Sequence, residues 1–433
     1  MENMNGILRH SYFSELMTLL AINSETGNIP GIEACFGHLA RKADEFRFLH
    51  KFAANGKVLE IYPKGLKGIP KVGFLTHIDT VPIGDGWKHE AYGEIVKDEY
   101  GRTLIYGRGV LDDKGAALMS LYALHSVEKR ISPTWKIIIG STEETDMSDI
   151  KEYLEDDNIP PLFTVNIDGD GIQNGCRGSA IVEMTFDRKS KSKVLKEFYS
   201  VGKTANTLPS EVKMRYEGST IKTILGKAAH SSLPGGTNAI IKAAHWIPAG
   251  EFPTFTRFIN NVKSMEYGKA LFIDDYGFEL DLPDELRTSV IPTMVKLEGD
   301  KLTLTVNVRI SPRIVSRKPI LYGVGKSKSV YKCGVELKSL IMPNYTDHCD
   351  DQFKYMLEAY YCEREIRPEV TIARGTGYIG ALGTPGAIFG PRFALGDNTD
   401  EDTCHMPDEM WAVEDMVRFY SMLKRYILLA YHK

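Results

Sequence analysis

The sequence predicts an α/β fold: a mostly parallel sheet with helices on both faces, interrupted by an inserted α+β domain. Three observations lead there. In the first third of the chain, apolar strand-like runs alternate with helical patterns, as a parallel sheet with crossover helices requires. Several of those runs end in polar residues, as buried strands do where their carboxyl ends reach a ligand-binding surface. From Ser179 the texture changes to apolar/polar alternation, the pattern of a half-exposed antiparallel sheet.

The elements follow in order. Helical periodicity covers about Leu8 to Leu20, and the turn-rich SETGNIPG leads to a second helix near Ile32 to Ala43. Lys71 to Asp79 (KVGFLTHID) reads as a buried strand with a polar tip. After a Gly- and Pro-rich loop, GRGVLDDKG opens a small-residue helix from Gly115 to Val127. Trp135 to Gly140 (WKIIIG) is a second strand, tipped by STEET, and Phe163 to Asp168 (FTVNID) is a third. SAIVEMTFDR and Lys301 to Ile310 (KLTLTVNVRI) alternate, with GKAAHSSLPGGTNA and a helix from Ala239 to Trp246 between them. Beyond lie a helix at Gln352 to Cys362, the glycine-rich RGTGYIGALGTPGA, the polar loop LGDNTDEDTCHMPDE and an amphipathic helix from Val413 to Tyr431. The expected organisation is one domain in two parts, residues 1–179 and 345–433, with a second domain inserted at 180–344.

Composition narrows the function classes. The 433 residues include 53 Lys and Arg against 57 Asp and Glu, a formal charge of −4, with no strongly basic block. Capture of nucleic acid by charge is therefore not expected. No stretch approaches the roughly 18 uninterrupted apolar residues of a membrane span, and no membrane partner is expected. Arg9, His10 and Glu15 interrupt the N-terminal apolar pattern, which has no small-residue cleavage site, so it is not expected to be a signal peptide. The six cysteines are dispersed without a CxxC pair, which suits a reducing cytoplasm.

The candidate chemistry lies at the strand ends. His77 and Asp79 are two apart on a strand, so they face the same side. An imidazole there can bind zinc while the carboxylate fixes its tautomer. Asp112 and Asp113 precede a helix, where a capping role would also suit them. Glu143 and Glu144 are adjacent, Asp168 follows the third strand and His405 sits in a late loop. Each has an ordinary reading when taken alone. Together they supply imidazoles and carboxylates for two divalent cations such as Zn²⁺ or Mn²⁺, with one carboxylate spare as a base. No GxSxG elbow appears, so a serine hydrolase is not expected.

HIDTVPIGDGW, GRGVLDDKG, the EE of STEET, the later Asp, GKAAHSS and CHMPDE together resemble the co-catalytic zinc exopeptidase family, in order and over nearly the whole chain. That family contains carnosinase-like, acetylornithine deacetylase-like and PepV-type dipeptidases, and the long inserted domain resembles the PepV-type branch. The resemblance implies His77 and Asp168 as ligands of one metal, Glu144 and His405 as ligands of the other, and Asp112 as the bridge. Asp79 would orient His77, and Glu143 would be the general base. In the inserted lid, His230 would polarise the scissile carbonyl and Arg309 would grip the substrate carboxylate, with Asn206, Gly375 and Thr376 contacting substrate.

The implied cofactors are two divalent ions, zinc first, with manganese or cobalt as alternatives. The implied reaction is hydrolysis of dipeptides or short peptides. An N-deacylase of acylated amino acids is the alternative, and a non-catalytic metal-binding homologue is a third reading. A monomer that closes its own lid is expected, with a dimer left open. The chain departs from the family pattern at Thr142, where Asp usually precedes the glutamate pair. It departs also in NIDGDGIQ, which makes Asp170 a rival of Asp168, and at Arg374 beside the glycine-rich turn.

Overall fold

The computed structural model describes residues 11–202, 204–233, 235–273, 282–392 and 403–431. They form two compact units: Met1–Gly175 with Tyr345–Thr371 and Gly377–Lys433, and Cys176–Asn344 with Ile372–Thr376. The short segment Ile372–Thr376 belongs with the second unit. Of the first predicted helix, Phe13–Leu20 is helical, while Leu8 to His10 lie outside the described residues. The first half of the loop LGDNTDEDTCHMPDE also lies outside them, up to residue 402.

The first unit is built on a nine-stranded sheet. At its centre β1 (Val72–His77) lies between β2 (Trp135–Gly140) and β3 (Phe163–Asn166), parallel to both. Gly386–Phe389 continues the parallel set beside β3. The flanks are antiparallel: Leu49–Ala53 and Val58–Tyr62 extend one side and Ile172–Cys176 the other.

The central strands are apolar on both sides because both faces are covered. Val72, Phe74, Ile137 and Ile139 join the core beneath the helices Ile29–Glu45, α1 (Lys114–Val127) and Val413–Ala430. Leu75 and Ile138 point the other way, into a smaller core with Ile150, Tyr153, Tyr378 and Leu382. The alternation with period two places one residue in each layer in turn.

The second unit carries a seven-stranded antiparallel sheet. Its central strands Ser289–Glu298, Lys301–Ile310 and Gly178–Asp187 pair over nearly their full lengths. Ala180, Val182, Met184 and Phe186 alternate into a core that also takes residues of the helices Ala239–Ala243, Pro253–Ser264 and Lys318–Tyr331. Ala244–Trp246, expected to continue the first of these helices, tightens into a 3-10 turn. Among the described residues, no helix is long and apolar enough to cross a membrane.

Candidate metal centre

Three parallel strands end level with one another. In the pairing register His77 lies opposite Gly140, and Leu75 opposite Asn166. The residues that follow β2 and β3 therefore emerge beside His77, which brings Glu143, Glu144 and Asp168 to one edge of the sheet. The loop before α1 adds Asp112. Asp113 occupies the N-cap position of α1 but makes no side-chain cap. Its carboxylate instead accepts from the Thr76 hydroxyl and, at 3.4 Å, from the His77 N–H. The aspartate pair is thus turned toward the strand tip rather than spent on the helix.

The side chains converge closely. His77 is fully buried, with Nε2 2.9 Å from Asp112 Oδ1 and 3.9 Å from Asp168 Oδ2. Its Nδ1 faces Asp79, 3.3 Å from Oδ1 and 3.0 Å from the backbone carbonyl. The other oxygen of Asp112 lies 3.0 Å from His405 Nε2, which is also 3.1 Å from Glu144 Oε2. Asp112 thus stands between the two imidazoles, one oxygen toward each. Asp79 also serves the neighbouring loop, because its two oxygens accept the N–H groups of Glu143 and Glu144, each at 3.3 Å. One buried carboxylate therefore holds both the imidazole and the glutamate loop.

Among the described residues, His77, Asp112 and Glu144 offer donor atoms within 4.8 Å of one another, and so do Asp112, Cys404 and His405. Glu144 Oε1 and Asp168 Oδ1 are buried without a hydrogen-bond partner, and His77 Nε2 and Asp112 Oδ1 have only each other, at 2.9 Å. Unsatisfied buried polar atoms are costly, and a hard or borderline cation is the partner that this mixture of imidazole and carboxylate fits. Asp170, the rival of Asp168, is 64% exposed and pairs with Arg392 at 2.8 Å.

The electrostatics suit a site built for positive charge. Burial pushes Glu143 well above the ordinary carboxylate range, and Asp168, Glu144 and Asp112 add to the shift. Burial likewise raises Glu144 and, with Asp112, lifts Asp168 to about 6. Asp112 goes the other way: burial opposes its charge, but His405 and His77 hold it well below the usual range. Hydrogen bonds to Asp112 and Glu144 carry His405 up to about 10. A bound cation would take over this countercharge role, because ligating imidazoles must be neutral.

Sequence reasoning missed the groups that hold the cluster in shape. Glu409 is fully buried and accepts from the N–H groups of Gly109, Leu111 and Asp112 at 3.1, 2.9 and 3.2 Å. Arg108 adds an ion pair at 2.7 Å. Asp149 accepts from the N–H groups of Ser141 and Thr142 at 2.6 and 3.1 Å and from the Tyr378 hydroxyl, which fixes the turn into Glu143. A Cβ at Gly140 would collide with the Tyr378 hydroxyl and the Asp149 carboxylate, so the strand must end in glycine there. Arg392 lies 3.6 Å from both Asp112 and Asp168. A signal for Glu409 existed in its place four residues after His405, but an acidic residue in a polar loop reads as surface.

The remaining predicted residues lie in the second unit. Arg309 is only 4% exposed. It donates to Ser231 Oγ at 2.9 and 2.8 Å, to Thr376 Oγ1 at 3.2 Å and to His230 Nε2 at 3.2 Å. Among the described residues no carboxylate pairs with it, and burial lowers it to about 10. His230 Nδ1 is 2.6 Å from Ser232 Oγ; burial and then Arg309 lower the ring to about 4. Arg309 meets Nε2 and the Ser232 N–H donates to Nδ1 at 3.3 Å, so both ring nitrogens face donors. Asn206 meets this segment through its backbone carbonyl, which accepts from Ser231 at 2.8 Å. Gly375 is half-buried, with open space around it. Arg374 pairs with Glu285 at 3.2 Å.

Imidazoles and carboxylates gathered at the carboxyl ends of a parallel sheet make a candidate metal-binding cluster. Residues 73–429 match the model of peptidase family M20/M25/M40, and the chain belongs to that family. It is similar to the Beta-Ala-Xaa dipeptidase of Lactobacillus delbrueckii subsp. lactis, 26% identical over 390 residues that cover 81% of this chain and 80% of that one. Over a shorter stretch, 34% of this chain and 42% of the other, it is 30% identical to the succinyl-diaminopimelate desuccinylase of Acidiphilium cryptum. Its fold is similar to that of aminoacylhistidine dipeptidase from Vibrio alginolyticus, with TM-score 0.62 and 14% identity, covering 100% of both chains.

Proposed function

We propose that the chain hydrolyses dipeptides or short peptides with a free terminal carboxylate, using two divalent cations, zinc first among them. His77 and Asp168 would hold one cation, Glu144 and His405 the other, with Asp112 shared between them. The observation that carries this reading is the convergence of His77, Asp112 and Glu144 donor atoms within 4.8 Å of one another, beside two buried carboxylate oxygens, Glu144 Oε1 and Asp168 Oδ1, that no hydrogen bond satisfies. Bound there, the cations would polarise the scissile carbonyl and ease deprotonation of water.

The chain's own residues would do the rest. Glu143 is not needed to hold the cations, and its raised proton affinity suits a base that takes a proton from water and passes it to the departing amine. Arg309, a buried guanidinium whose partners among the described residues are neutral, would clamp the substrate carboxylate bidentately. Once Arg309 turns to that carboxylate, His230 Nε2 is freed to carry the ring proton and donate it to the developing oxyanion.

The test is hydrolysis of a dipeptide panel by chelator-stripped protein, with Zn²⁺, Mn²⁺ or Co²⁺ restored singly. Metal-restored cleavage supports the reading, and a chain that binds no metal refutes it. The desuccinylase similarity favours one second reading, an N-deacylase on the same cluster. Cleavage of N-acetyl or N-succinyl amino acids, with the dipeptides left intact, would establish it instead.

A further inference from the structure

Cys404 immediately precedes His405. Its sulfur lies 2.8 Å from Asp112 Oδ2, the oxygen that His405 Nε2 approaches at 3.0 Å. The three residues offer donor atoms within 4.8 Å of one another. Beside them Glu144 Oε1, on a side chain only 5% exposed, is buried with no hydrogen bond, so the same spot calls for a cation independently of the thiol. Arg392 Nη1, 3.0 Å from the sulfur, adds a positive charge that favours sulfur in its anionic form. None of the other five cysteines belongs to a cluster of metal donors among the described residues.

We propose that Cys404 is a sulfur ligand of the metal centre, on the side of Asp112 and His405. The inference rests on the reading of the cluster as a divalent-cation site. On binding, the Cys404 S–H bond breaks, its proton goes to solvent and a sulfur–metal bond forms, with no change of oxidation state. A bound dication stabilises the thiolate, the form of cysteine that ligates metal. The consequence is selectivity. A thiolate is soft, so its presence favours Zn²⁺ or Co²⁺ over Mn²⁺ or Mg²⁺ at that position.

The experiment is Co²⁺ titration of the chelator-stripped full chain, followed by absorption spectroscopy. The expected result is an intense near-ultraviolet sulfur-to-cobalt charge-transfer band that is absent from Cys404→Ser. Zinc affinity of that variant should fall by at least about tenfold, with manganese affinity near that of the unaltered protein. Bound cobalt that shows only its weak visible bands overturns the sulfur ligand and leaves the imidazole–carboxylate cluster standing. A charge-transfer band that survives in Cys404→Ser also overturns it. Failure to bind cobalt at all overturns both readings. Should Cys404→Ser not fold, X-ray absorption of the zinc-loaded unaltered protein decides. A sulfur scatterer at about 2.3 Å supports the proposal, and a shell of nitrogen and oxygen alone refutes it.

Discussion

The N–H of Asp112 donates to Glu409 at 3.2 Å, so the loop that carries one candidate ligand is tied to the segment that carries another, His405. Glu409 also accepts from the N–H groups of Gly109 and Leu111 in that loop and pairs with Arg108. The carboxylate is a fully buried hub rather than a surface charge.

Removing it should therefore damage fold and metal binding together. Glu409→Ala should cost about 3–5 kcal/mol, the usual penalty for breaking a buried charge pair, as measured by denaturant unfolding. Glu409→Gln keeps the shape but loses the charge and an acceptor, and should fold with weakened zinc binding. A well-folded Glu409→Gln protein with unchanged zinc affinity would show that the loop needs no such hub.

Glu143 is assigned a proton rather than a cation. Glu143→Gln should bind zinc as tightly as the unaltered protein, read by titration, while kcat falls by roughly 10²–10⁴-fold. Loss of zinc along with turnover would instead make Glu143 a ligand.

The choice between Asp168 and Asp170 is testable in the same way. Asp168→Asn should lower zinc affinity strongly, because its buried Oδ1 has no hydrogen-bond partner. Asp170→Asn, which alters an exposed pair with Arg392, should leave affinity close to its starting value. The reverse ranking would exchange their roles.

Arg309 is expected to act on substrate binding. Arg309→Lys should raise KM for a dipeptide with a free carboxylate, because lysine cannot form the bidentate fork, and should change little for the corresponding dipeptide amide. Equal losses for both substrates would point to a structural role for the guanidinium.

His230 gives stability a pH dependence of definite sign. Its folded value, about 4, lies below the unfolded value near 6.5, so the folded state resists protonation. The contribution is fully present above pH 6.5 and declines as the pH falls toward 4. Because the ring is partly exposed, the loss should not exceed roughly 2 kcal/mol. Unfolding of His230→Gln should lack this component; an unaltered acid slope would assign it to other groups.

Much of this molecule was legible because its central strands are strongly patterned. WKIIIG and KLTLTVNVRI form strands with the bounds their sequences suggest, one buried on both faces and the other alternating. The edge strand Leu49–Ala53 was not, since LHKFA is largely exposed and carries no alternation. At the cluster, the polar tips of strands announced His77, Glu144 and Asp168. Glu409 and Asp149 escaped because each acts by accepting backbone N–H groups, and backbone leaves no trace in residue identity. Arg392 escaped for another reason: it meets Asp112 and Asp168 only through folding, across a long stretch of chain.

The order in which the cluster's residues occur along the chain has a bearing on biosynthesis. His77, Asp112, Glu144 and Asp168 all leave the ribosome before the second unit is made, whereas His405 leaves after it. During that interval the nascent first unit displays crowded carboxylates without their final imidazole or the Glu409 hub. On the proposed reading, secure metal capture therefore waits until the segment carrying His405 and Glu409 has been made.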